Sequence, residues 1–249
     1  MLKIFNFISF QKTNGNRDAI VAFIKQLNPK YLKGIWISGY TYSENKNIDP
    51  LTFENIKSSN LKKFGLIHKI FPSVSGLTGL DLFELHDICI DKNIMFPDSK
   101  VIKLKKVFVN DKLNFFSLFN PASFDNLTSL EIENSFINAW NFSYSFKNVE
   151  YLSIKNHSFV DNKLISIFKG VKKLDISGNK IEDPSNVFRH ILRYQPNLET
   201  LILEKIKGIK EIDFSGYKNL KYISIVGSGD IKIKSKNKIT IKRSKKIKK

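Results

Sequence analysis

The chain has 249 residues, 42% apolar and 26% charged, the composition of a folded protein of one large or two ordinary domains and not of a disordered chain. Its single cysteine, Cys89, excludes an intramolecular disulfide framework and fits a reducing compartment; no apolar run approaches the roughly 18 residues of a membrane span. The formal charge of +18 is carried by lysine, since only Arg17, Arg189, Arg193 and Arg243 of the 41 basic residues are arginine. Specific nucleic-acid readers lean on arginine for bidentate contacts, and lysine abundant together with isoleucine and asparagine has AT-rich codon usage as one source.

Met1–Phe10 is apolar but broken by Asn6 and Ser9, and it lacks a small-residue cleavage site, so a secretory signal is not expected. Residues 1–31 read as an N-terminal cap region. Within it Ile20, Phe23, Ile24 and Leu27 form the i, i+3, i+4, i+7 stripe of an amphipathic helix that Asn28-Pro29 ends.

Strand signals follow at Leu32-x-x-Ile35-x-Ile37, Leu61-x-x-Phe64-x-Leu66, Leu77-x-x-Leu80-x-Leu82 and Ile102-x-Leu104. Asp49-Pro50 opens a short helix bearing Leu51, Phe53 and Ile56. An aromatic insert (Phe115, Phe116, Phe119, Phe124) precedes Leu127-x-x-Leu130-x-Ile132. The pattern is cleanest at Val149-x-x-Leu152-x-Ile154, Val171-x-x-Leu174-x-Ile176, Leu198-x-x-Leu201-x-Leu203 and Leu220-x-x-Ile223-x-Ile225, with central residues 22, 27 and 22 apart. Self-similarity at this period marks a stacked array of strand-and-return units.

Between these strands, Asp161 heads a turn of helix carrying Leu164, Ile167 and Phe168 and closed by Gly170. Asp183-Pro184 opens a longer helix with Val187, Phe188, Ile191 and Leu192 on one face, ended near Gln195-Pro196. The return bearing Ile206, Ile209, Ile212 and Phe214 has a spacing that fits turn or helix equally. The alternating runs Ile231–Lys234 and Ile239–Lys242 predict a capping hairpin over 230–241 whose lysines discourage edge pairing, followed by a basic tail, 242–249.

The repeated pattern, and Leu174-Asp175-Ile176-Ser177-Gly178-Asn179 above all, resembles the leucine-rich-repeat family. The resemblance implies an α/β solenoid, a horseshoe with a parallel inner β-sheet and short helices or irregular turns outside, of about nine repeats over 32–229. It also implies a protein-binding role through the concave sheet. The family sets an asparagine three residues after the last strand leucine; here the equivalent positions are Tyr40, Lys69, Leu85, Val107, Ser135, His157, Asn179, Ile206 and Ser228, and Asn179 alone matches.

In such strands the residues between the named apolar positions face outward. The face so read carries as many lysines as acids, unlike a nucleic-acid groove. The candidate contact residues are Trp36, Phe83, Glu131, Tyr151, Lys155, Asp175, Ile202 and Tyr222, with the aromatic ones as anchors; the competing reading is that they are ordinary strand formers. No catalytic residue, metal site or cofactor is indicated. His68, His86, His157 and His190 lack metal-ligand spacing, Cys89 between Ile88 and Ile90 reads as a small buried residue, and Gly227-Ser228-Gly229 lacks the lysine and helix of a phosphate loop.

From Lys232 to Lys249 there are ten basic residues and no acid. The tail residues Lys242, Arg243, Lys245, Lys246, Lys248 and Lys249 fit codon bias, a nuclear import signal or a polyanion-binding patch. The expectation is an intracellular protein, cytoplasmic or nuclear, monomeric and non-enzymatic, with a protein partner. The alternatives are nucleic-acid or anionic-surface binding through the tail, and a substrate adaptor of a ubiquitin ligase.

Overall fold

A strand in a parallel sheet must bury the side chains on its core face and pair its backbone on both edges. The chain meets both demands by repeating one short strand. The computed structural model describes residues 7–10, 34–40, 63–68, 77–90, 95–136, 144–157, 165–181 and 183–243. It is an α/β protein dominated by parallel β-sheet, with few helices among the described residues, and it divides into two compact units: residues 1–127 with 135–141, and residues 128–134 with 142–249.

In the first unit β1 (Phe7–Phe10), β2 (Gly34–Tyr40), β3 (Lys63–His68), β4 (Leu80–Ile90) and β5 (Ser99–Val109) pair in parallel, each with the next. The strand β1 lies inside the region expected to be a cap. Pairing therefore begins one strand before Leu32, because Ile8 has its own register partner in Ile35. The cap helix expected over 11–30, the short helix after Asp49-Pro50 and the turn from Asp161 to Leu164 lie outside the described residues.

Register corrects one expected strand. Leu77, Leu80, Leu82, Phe83 and Leu85 satisfy the apolar spacing in two frames three residues apart. The structure uses Leu80-x-x-Phe83-x-Leu85: Phe83 aligns with Phe64 on one side and Ile102 on the other. Phe83 is thus 0% exposed and not a face residue. Its ring meets Phe96 at 5.5 Å, and Phe96 in turn meets Phe115 and Phe119 at 6.3 and 5.3 Å. The aromatic insert adds Phe115 from a 3-10 turn, Phe115–Leu118, and Phe119 from the residue that ends it; Asn114 caps the turn by accepting the Phe116 N–H. Burying one phenylalanine there contributes about 2–3 kcal/mol, which decides between the frames.

In the second unit β6 (Ser129–Glu133), β7 (Tyr151–Lys155), β8 (Lys173–Asp175), β9 (Thr200–Ile202), β11 (Tyr222–Ser224) and β13 (Thr240–Lys242) pair in parallel in that order. Their central residues Leu130, Leu152, Leu174, Leu201, Ile223 and Ile241 align across the unit. A second layer holds the Pro184–Tyr194 helix and a two-stranded parallel pair, β10 (Glu211–Asp213) with β12 (Lys232–Lys234). Asp183 caps the helix through the Asn186 N–H at 3.1 Å, Pro184 sits at its start, and Val187, Phe188 and Ile191 are buried. The undecided return after Leu203 is settled by β10, an extended segment.

The capping hairpin expected over 230–241 does not form. The two alternating runs pair with different neighbours, β12 with β10 and β13 with β11, both parallel. Each finds a strand one repeat earlier whose backbone groups and apolar face need covering, and a two-stranded hairpin alone offers neither. Lys242 is consequently the last residue of β13, and Arg243 donates to the Ile231 carbonyl at 3.0 Å, so neither belongs to a free tail.

Candidate functional site

The outward face of the second unit is assembled in rows by the strand register. One row runs Ser129, Tyr151, Lys173, Thr200, Tyr222, Thr240; the next runs Glu131, Ser153, Asp175, Ile202, Ser224, Lys242. Tyr151 and Tyr222 therefore share a row and stand three strand spacings apart, about 14 Å. Glu131 and Asp175 flank Ser153 in the neighbouring row.

The side chains of this face are held by short-range chemistry. Lys173 Nζ lies 4.6 Å from the Tyr151 ring centroid, a cation–π contact. Partial burial pushes the Tyr151 phenol above its ordinary value; the Ser153 hydroxyl opposes this, and the Glu131 and Asp175 carboxylates add to it. Asp175 is only 7% exposed and accepts from the Ser177 N–H at 3.0 Å and the Ser177 hydroxyl at 2.6 Å. Ser177 Oγ accepts the Glu204 N–H at 3.1 Å, and the Ser224 hydroxyl donates to the Glu204 carboxylate. Lys155 and Glu133 pair at 3.9 Å. Asp175 thus acts more as a brace than as an open contact, whereas Tyr151, Lys155, Ile202 and Tyr222 remain half-exposed.

Of the remaining candidates, Trp36 lies in β2 opposite Ser9 and Gly65, and Phe83 belongs to the core as described. Lys242 and Arg243 are exposed at the end of β13, and Lys245, Lys246, Lys248 and Lys249 lie outside the described residues. Cys89 is exposed, not buried as its apolar neighbours suggested, because strand alternation sends Ile88 and Ile90 inward and the residue between them outward. Among the described residues no three His, Cys, Asp or Glu side chains converge to hold a metal. No helix among them is long and apolar enough to cross a membrane.

Sequence reasoning missed two rows that organise the face from its ends. Four residues after the central apolar position of β4 to β9 and of β11 stands a left-handed residue: Asp87, Lys106, Asn134, Asn156, Gly178, Lys205 and Gly227, with φ between 48° and 74°. One residue later comes the position that the repeat pattern aligns with Asn179. Asn179 there donates to the Ile154 and Ile176 carbonyls at 2.6 Å each and accepts the His157 N–H at 2.8 Å. Ser135 accepts the Val107 N–H at 3.0 Å, and Ser228 accepts the Ile206 N–H at 2.9 Å while donating to the Leu203 carbonyl. Serine thus accepts a backbone N–H of the preceding turn at two of these positions, as Asn179 does at its own. The signal was the small polar residue at constant offset from the strand centre.

The chain matches no protein-family model, and no curated protein sequence matches it.

Proposed function

We propose that the chain is a leucine-rich-repeat-like solenoid that acts as a non-enzymatic scaffold, binding another protein through its outward strand face. The observation that carries this reading is the pair of tyrosines, Tyr151 and Tyr222, set in one cross-strand row on a braced sheet. Strand pairing fixes the backbone of both tyrosines, and Lys173 over the Tyr151 ring holds that side chain before any partner arrives, so association loses less conformational entropy. Tyrosine suits the role because it presents a rigid ring and a polar tip. In the second unit the face carries four carboxylates (Glu131, Glu133, Asp175, Glu204) and three lysines (Lys155, Lys173, Lys242), a mixed surface that favours a protein over a polyanion.

Proximity labelling in the native cell identifies the partner, and the purified pair is then measured with the double variant Tyr151→Ala, Tyr222→Ala. We expect binding to weaken at least tenfold with unchanged circular dichroism, corresponding to more than about 1.4 kcal/mol. Unaltered affinity would reject this face as the binding surface.

A further inference from the structure

The second unit carries a cleft on the layer opposite the strand face. It opens between the Pro184–Tyr194 helix and the segment from β10 to Tyr217, and its volume is about 300 Å³. Its origin is geometric. The second layer changes from a helix in one repeat to an extended segment in the next, and a helix with its side chains is about 10 Å across while paired strands lie about 4.8 Å apart. The change leaves a step. Gly216 sits at that step, where an added Cβ would lie 2.6 Å from Leu192 Cδ2.

The cleft has an apolar floor and one uncompensated charge. Phe188, Leu192, Ile212 and Tyr217 form the floor. The Tyr217 hydroxyl is already spent on the Phe188 carbonyl, so the phenol offers its ring and not a free polar group. On the rim, Glu211 is occupied by Lys232 at 3.4 Å and by Lys234. Asp213 accepts the Ser215 N–H at 2.8 Å. Arg189, exposed on the helix side of the same rim, has no ion pair among the described residues. A guanidinium beside an apolar slot, facing one acid paired with two lysines and a second that lies in the field of Lys234 and Lys236, is complementary to a carboxylate next to an apolar side chain.

We propose that this cleft is a second docking site, separate from the strand face, for a short linear segment of a partner protein. The segment places an apolar side chain over Leu192 and Ile212 and a glutamate or aspartate carboxylate on Arg189.

The test is an NMR titration of the full chain with three acetylated, amidated tetrapeptides: Glu-Phe-Leu-Glu, Gln-Phe-Leu-Gln and Lys-Phe-Leu-Lys. The expected result is that the glutamate peptide shifts the Ser185 and Gly216 amides and binds at least tenfold more tightly than the other two. Arg189→Gln removes that preference and Arg189→Lys retains part of it. Arg193→Gln, on the same helix but outside the cleft, leaves it intact. Both arginines are exposed, so the fold tolerates these changes. Shifts centred on the basic run Lys232–Arg243 with the cleft amides still would mean charge attraction alone and would overturn the proposal. An Arg189→Gln variant that binds like the parent would also overturn it.

Discussion

Asp87, Lys106, Asn134, Asn156, Gly178, Lys205 and Gly227 share one backbone conformation but not one chemistry. Glycine enters the left-handed region without a Cβ penalty and asparagine or aspartate tolerates it, whereas lysine is strained there. Lys205, exposed with φ 55°, is the clearest strained case. Replacing it by glycine should raise stability by about 1 kcal/mol, the relief of left-handed strain less the extra freedom of the unfolded glycine. Chemical denaturation reads this directly, and a fall in stability would mean the Lys205 side chain contributes more than its backbone costs. Tyr217 offers a second residue-scale test. Burial holds its phenol far above the ordinary 10.0, so the folded protein keeps a proton that the unfolded chain releases. Its contribution is fully present below pH 10 and declines as pH rises beyond it. The stability gap between the parent and Tyr217→Phe should therefore be constant below pH 10 and narrow as pH rises above it; a gap that stays constant above pH 10 would contradict the assignment.

Successive strands are tied by side chains as well as by the ladder. Gln195 donates to the Ile165 carbonyl at 3.0 Å and to the Phe168 carbonyl at 2.5 Å, and accepts the Val171 N–H at 3.2 Å; Asn179 does the same work at the other end of the strand. Removing the Asn179 amide leaves two buried carbonyls and one N–H without a partner, a loss of about 3 kcal/mol. Asn179→Ala should therefore unfold at markedly lower denaturant, and Asn179→Ser, the residue used at 135 and 228, should recover part of the loss. Equal stability of the two variants would show that serine cannot substitute here. Charges alternate between neighbouring strands in the same way. Lys172 meets Glu150 at 2.6 Å and Lys221 meets Glu199 at 2.9 Å, pairs in which hydrogen bonding lifts Lys172 and lowers Glu199 from their ordinary values. In the first unit Lys100 meets Asp81 at 3.0 Å. Such exposed pairs are each worth little, but a one-strand slip would set like charges side by side, so they favour register more than stability.

Over the whole chain, the charge of +18 is distributed unevenly. Lys100, Lys155, Lys172, Lys221 and Lys232 are among those paired with acids across strands, while Lys236, Lys238 and Lys242 stand exposed in a run without acids. That run supports a second reading, binding of a polyanion at the C-terminal end. Deleting residues 244–249 removes four lysines and leaves β13 intact. If the reading holds, binding to a mixed-sequence duplex weakens and its salt slope falls by about three to four units. An unchanged slope would leave the lysines to codon usage.

The sequence by itself determined where strands recur, most of the apolar residues that bury, the Asp183-capped helix and the absence of a long apolar run. These are local and periodic properties: an apolar residue at the centre of each repeat, a cap before a proline, a length too short for a membrane. Tertiary structure alone decided the frame at Phe83, the partners of Ile231–Lys234 and Ile239–Lys242, and the outward place of Cys89. In each case the local pattern allowed more than one solution. Burial of a phenylalanine ring, or pairing of a whole strand against a distant neighbour, supplied the few kcal/mol that chose between them.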